Sequence, residues 1–97
     1  MSTTSLSLDQ SQEFEARLRA QGYVELETKS YEPRPANGLH RHHFAAQGLV
    51  LSGTFIVTQD GTPTSYGPGQ TFAVAEGEEH CEAVGPDGAR VFVGRKY

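Results

Sequence analysis

Four side chains in two short stretches of this chain could hold a metal ion. His40 and His42 stand two apart in Gly38-Leu39-His40-Arg41-His42-His43-Phe44-Ala45-Ala46-Gln47, and His80 closes the later stretch Gly77-Glu78-Glu79-His80. Residues i and i+2 of a β-strand project from one face, so the imidazoles of His40 and His42 are expected to point one way and Arg41 and His43 the other. With Gln47 and His80 they make a four-ligand set, and the cofactor it calls for is a divalent transition metal: zinc, manganese, iron, nickel or copper. Gln47 sets the character of such a site. Its neutral amide leaves the ion its full positive charge, which weakens retention but sharpens Lewis acidity toward an anionic or carbonyl ligand.

Candidates for proton transfer are few. Glu82 lies two residues after His80 and on a regular strand shares its face, where it could orient a histidine or accept a proton, although an edge position in solvent is the plainer expectation. Tyr66 is the second candidate, and with Tyr31, Phe44 and Phe72 it could also wall a pocket. Cys81 should point opposite to His80 and is not counted as a ligand. Arg34 and Arg41 could meet an acidic ligand but suit a solvated role at least as well. No Ser-His-Asp set, phosphate-binding loop or CxxC motif occurs.

The elements that must position these residues can be read from the punctuation. Residues 1–8 are Ser/Thr-rich and are expected to be a flexible start. A helix is expected over about 9–21, capped by Ser7 or Asp9, with Phe14 and Leu18 as its apolar stripe and Gly22 as its stop. From there the period changes to two. Val24, Leu26 and Thr28 alternate with Glu25, Glu27 and Lys29, the pattern of a half-buried strand. Asn37-Gly38 turns into the histidine strand, two short strands flank Gly53, and Asp60-Gly61 is a hairpin signal. Gly67-Pro68-Gly69, Glu76-Gly77-Glu78 and Gly85-Pro86-Asp87-Gly88 mark further turns. About eight short strands with no second helix predict an all-β sandwich or barrel over about 22–97 rather than a parallel α/β sheet.

The histidine spacing resembles that of the cupin family. Its first motif reads G-x5-H-x-H-x(3,4)-E-x6-G, and here His40-x-His42-x4-Gln47 is followed by Gly53. Its second reads G-x5-P-x-G-x2-H-x3-N, and here Gly69-x5-Ala75-x-Gly77-x2-His80 is found. The chain departs from the pattern at Gln47 for Glu, Ala75 for Pro and Val84 for Asn. Gly38 also stands too close to His40, and Gly53 falls one position early. The resemblance implies a small jelly-roll β-barrel with one N-terminal α-helix, and a metal held inside it by His40, His42, Gln47 and His80. It also implies a homodimer, for which an exposed edge strand offers a route. Three histidines with a glutamine occur in some members, including a small one that acts on unsaturated uronates from pectin breakdown.

Bulk composition bounds the function. A chain of 97 residues has room for one core. The formal net charge of -4 argues against a nucleic-acid partner bound through a basic face. The single Cys81 excludes an intramolecular disulfide. The start of the chain lacks a signal-peptide pattern, no stretch approaches the ~20 apolar residues of a membrane span, and the cytoplasm is the expected location. Two functions fit a small-molecule partner. One is a metal-dependent oxygenase or isomerase acting on a sugar acid, keto or enediol compound. The other is a non-catalytic sensor or binding module of the kind found in sugar-responsive regulators.

Overall fold

The computed structural model describes residues 8–97, with side chains described from Gln10 onward. The flexible start expected at the head of the chain and the Ser7 cap lie outside the described residues, and Asp9 falls within the helix rather than before it. Helix α1 spans Leu8–Ala20. It ends as its sequence requires: Gly22 takes the left-handed φ of +87°, Tyr23 N–H donates to Leu18 O at 2.9 Å, and Gly22 N–H donates to Arg19 O at 3.1 Å. These two bonds close the last turn by satisfying carbonyls that have no helical partner. Phe14 and Leu18 are buried against Leu49, with Tyr23, Leu26, Leu51 and Phe92 around them.

Five strands follow: β1 (Val24–Tyr31), β2 (Ala45–Gln59), β3 (Thr62–Tyr66), β4 (Thr71–Val74) and β5 (His80–Lys96). All pairings are antiparallel. The order is β1-β5-β2-β3, and β4 joins the other edge of β2. The count is five rather than eight because β2 and β5 each run through signals that read as turns, and because the expected histidine strand is no strand, His40 making a single isolated bridge to His80. At Gly53 and at Gly85–Gly88 the two strands stay paired across irregularities, with Gly53 opposite Ala89 and Phe55 opposite Val84. Bulges of this kind bend a strand and let it pass from one sheet layer to the next. The first half of β2 lies between β5 and β4, and its second half between β5 and β3.

The two layers thus share both long strands and close on each other. Val50, Val74 and Val91 from one half meet Phe55, Val57 and Val84 from the other in a single buried cluster. This is a small jelly roll, mostly β, with the helix packed on the outside of one layer.

Gly53 has φ of +77°, and a Cβ there would run into the carbonyl of Gly88. Both requirements, left-handed backbone and close approach, call for glycine at this bend.

Strand β1 departs from its expected facing. Leu26 packs under the helix, but Val24 is 48% exposed and Thr28 is exposed as well. Lys29 and Tyr31 face the interior cavity instead. A register shift between Val24 and Glu27 accompanies the positive φ of Glu25, 56°. Alternation of apolar and charged residues therefore reports only the helix side of this strand, because the cavity side is itself polar.

Candidate metal centre

His40 lies in no long strand. It pairs with His80 through one isolated bridge, in which His40 N–H donates to His80 O at 2.9 Å and His80 N–H to His40 O at 3.0 Å. Reciprocal bonds of this type place two residues directly opposite with their side chains on one face. Their rings are 4.3 Å apart between centroids. His42 lies past the bridge, its carbonyl held by Gly77 N–H at 2.9 Å, and its ring is 5.0 Å from both His40 and His80. Phe44 stacks on the far side of His42 at 4.6 Å. The three histidines that share the motif spacing thus meet at one place.

The turn that delivers His80 is fastened from several sides. Gly77 takes φ of +77°, and the Glu78 carboxylate accepts from Ala75 N–H at 3.0 Å and from the Gln59 amide at 3.3 Å. His80 itself is 1% exposed.

Two hydrogen bonds fix the tautomers. His40 Nδ1 lies 2.8 Å from Gly38 O and His80 Nδ1 lies 3.0 Å from Glu78 O. A carbonyl oxygen only accepts, so each Nδ1 is the donor, and in the neutral ring Nε2 is then the nitrogen left to meet a metal. Backbone carbonyls that orient histidines in this way are the usual support of a metal site. Burial, followed by the neighbouring His80 and His40, pushes the pKa of His42 below its ordinary value and favours the neutral ring that a metal requires.

The fourth member is Glu82, on the inward face of β5 two residues after His80. Its carboxylate lies 3.3 Å from His80 Nε2, and its other oxygen is 3.8 Å from the Arg34 guanidinium. Arg34 also donates to the Glu82 carbonyl at 3.2 Å, so it is half-buried beside the site rather than free in solvent. One donor atom each from His40, His42, His80 and Glu82 lies within 4.8 Å of the others. Opposite ligands of an ion bound at ~2.1 Å are about 4.2 Å apart, so the set is close to the span such an ion needs. Its composition, imidazole nitrogens with one carboxylate, suits a divalent transition metal.

Gln47 is not brought to this group. Its amide donates to Tyr23 Oη at 3.0 Å and to Gln21 Oε1 at 3.3 Å, beside the end of the helix. The reason is strand parity. Gln47 shares a face with Leu49, which is buried under α1, whereas Ala46 on the other face lines the cavity. The backbone between His42 and Ala45 is not strand, so the side of β2 that meets the histidines is set by Ala46.

Tyr66 is likewise elsewhere. It packs on Phe72 at 5.6 Å and does not line the cavity. His43 and Arg41 are exposed, and Arg41 donates to Gly77 O at 2.9 Å. Cys81 is buried and outside the group.

His40 and His42 open into a cavity of about 190 Å³. Tyr31, Phe44, Phe55 and Phe72 form aromatic wall, and Lys29 and Arg95 also line it. Burial and the nearby Glu82 push the Tyr31 phenol above its ordinary pKa, so it is a hydrogen-bond donor at neutral pH. Sequence reading passed over Lys29 and Arg95. The first alternates as the outward member of its strand, and the second carries no motif.

The family model described as "Cupin domain" matches residues 27–93. A comparison with curated proteins finds no match. Among solved structures, an RmlC-like cupin from Shewanella frigidimarina is similar at TM-score 0.62 and 20% identity, over 71% of this chain and 61% of that one. A predicted oxalate decarboxylase from Thermotoga maritima has TM-score 0.63 and 15% identity, over 82% and 71%. A polyketide cyclase from Streptomyces resistomycificus has TM-score 0.63 and 22% identity, over 77% and 54%. The chain spans less than two thirds of the length of the Shewanella and Streptomyces proteins. At these identities the likeness is one of fold.

Proposed function

Since the chain belongs to the cupin-domain family, we propose that it holds a divalent transition metal through His40, His42, His80 and Glu82, and there binds or converts a small polar metabolite such as a keto, enediol or sugar-acid compound. The observation that carries this reading is the convergence of four donor atoms within 4.8 Å, with two of the rings held in the ligating tautomer by backbone carbonyls. When bound, the metal would polarise a carbonyl or enediol oxygen. The chain's own residues supply the rest. Arg34 holds Glu82 in place, Tyr31 presents a phenolic donor, and the aromatic wall limits water.

A second reading, a non-catalytic sensor or binding module, is favoured by one feature. Among the described residues Glu82 is the one carboxylate lining the cavity, and it is already shared between His80 and Arg34. That leaves little for proton transfer. In either reading we take residues 9–97 as one cytoplasmic domain with a small-molecule partner and no nucleic-acid partner. The terminal position of β1 in the strand order supports pairing as a homodimer by sheet extension.

The deciding experiment incubates metal-loaded protein with small keto and sugar acids, following turnover by proton NMR and oxygen uptake by electrode. Conversion that is lost in Glu82→Gln supports the enzyme. Saturable binding without turnover supports the module. Neither binding nor turnover overturns both.

A further inference from the structure

Two cations share the cavity with His40 and His42. Lys29 projects from β1 and Arg95 from β5, and both line the cavity. The Arg95 guanidinium lies 4.5 Å over the ring of Phe44, which also stacks on His42 and meets Tyr97. It therefore belongs to the same aromatic wall as a proposed ligand. The carboxylate partners of both cations are loosely held, although Arg95 is also hydrogen-bonded to Tyr97. Arg95 meets Glu25 at 3.5 Å and Lys29 meets Glu27 at 3.9 Å, and these carboxylates are 50% and 55% exposed. Pairs so long and so exposed contribute little and are readily exchanged. Glu25 moreover already accepts from Tyr97 Oη at 2.7 Å. Among the described residues the one carboxylate inside the cavity, Glu82, is taken up by His80 and Arg34. A chain of net charge -4 thus carries a cavity whose spare charge is positive.

We propose that this cavity takes a small organic carboxylate, its anionic group held by Lys29 and Arg95 and its apolar body laid against Tyr31, Phe44 and Phe72. A guanidinium fork matches a carboxylate in geometry as well as charge. Among the metabolites proposed above, the aromatic wall favours keto acids with an apolar body over sugar acids, because hydroxyl groups pressed on phenyl rings would lose hydrogen bonds to water without replacement. The cavity of about 190 Å³ has room to seat a short acid. The proposal rests on the metal-site reading only for what meets the other end of the ligand. Lys29 and Arg95 attract an anion with or without a metal.

The test uses metal-free protein at low salt and two matched pairs of probes, isobutyrate with isobutyramide and benzoate with benzamide, titrated by NMR. At least one acid is expected to bind at least about tenfold more tightly than its amide. Lys29→Met and Arg95→Gln should each cut that preference by at least about threefold, whereas Lys96→Gln, which removes the same charge at an exposed position, should leave it intact. Equal affinity for acid and amide, no binding by either acid, or an equal loss in Lys96→Gln would overturn the assignment. Zinc titrated into the same parent sample separates the two readings. Acid preference without zinc uptake rejects the metal centre alone, and zinc uptake without acid preference rejects the carboxylate site alone.

Discussion

A carboxylate oxygen of Glu82 lies 3.3 Å from Nε2 of His80, two residues back on the same strand, and Glu82 lines the cavity that His40 and His42 enter. Strand geometry produces this pair directly, since i and i+2 share a face. It gives a set of neutral imidazoles the single negative charge that helps retain a dication.

Glu82→Gln preserves the shape of the side chain and removes that charge. Zinc affinity, measured by competition with a chromophoric chelator, should fall about ten- to hundredfold. The far-ultraviolet circular dichroism should not change, because the carboxylate's main contacts are with site residues and Arg34. An affinity equal to that of the parent would remove Glu82 from the ligand set.

His42 should titrate below the ordinary histidine value, because burial and two neighbouring imidazoles disfavour its charge. Between that lowered value and ~6.5 the unfolded chain binds the proton more readily than the folded one, so stability rises with pH across this window. Thermal unfolding of metal-free protein should accordingly show a Tm that falls once the pH drops below ~6.5 and levels off below the folded value. His42→Gln should flatten that slope. Proton NMR of the ring gives the midpoint independently, and a midpoint above 6.5 would contradict the account.

Gly53→Ala should be costly although the site lies elsewhere. The added methyl group meets the carbonyl of Gly88 in a left-handed backbone, where the long strand β2 bends between layers. Strain and overpacking together should destabilise the fold by roughly 2–4 kcal/mol. Urea unfolding checks this, and a change within about 0.5 kcal/mol would mean that the bend tolerates a side chain.

These residues also mark how far the sequence can be read. The three histidines were legible as a spacing, but no strand carries His40 or His42: one hydrogen-bonded bridge sets His40 opposite His80, and irregular backbone brings in His42. Glu82 was legible as a residue sharing the face of His80, because both lie on one strand. Gln47 was misplaced because parity does not carry through the irregular backbone after His42, and a count of residues cannot say which face of β2 resumes. Gly53 and the Gly85–Gly88 stretch read as turns because glycine and proline mark a bulge inside a long strand as readily as a chain reversal. Lys29 and Arg95 were hidden for a third reason. A cavity wall is polar, so alternation assigns its residues to solvent.

The most direct test of the metal centre compares elemental content by mass spectrometry in protein purified without an affinity tag. The parent and Gln47→Ala should each carry close to one transition-metal ion per chain, and His40→Ala and His80→Ala should carry almost none. A parent that takes up no metal when supplied with it, or a Gln47→Ala protein that loses metal as His80→Ala does, would contradict the assignment of His40, His42, His80 and Glu82.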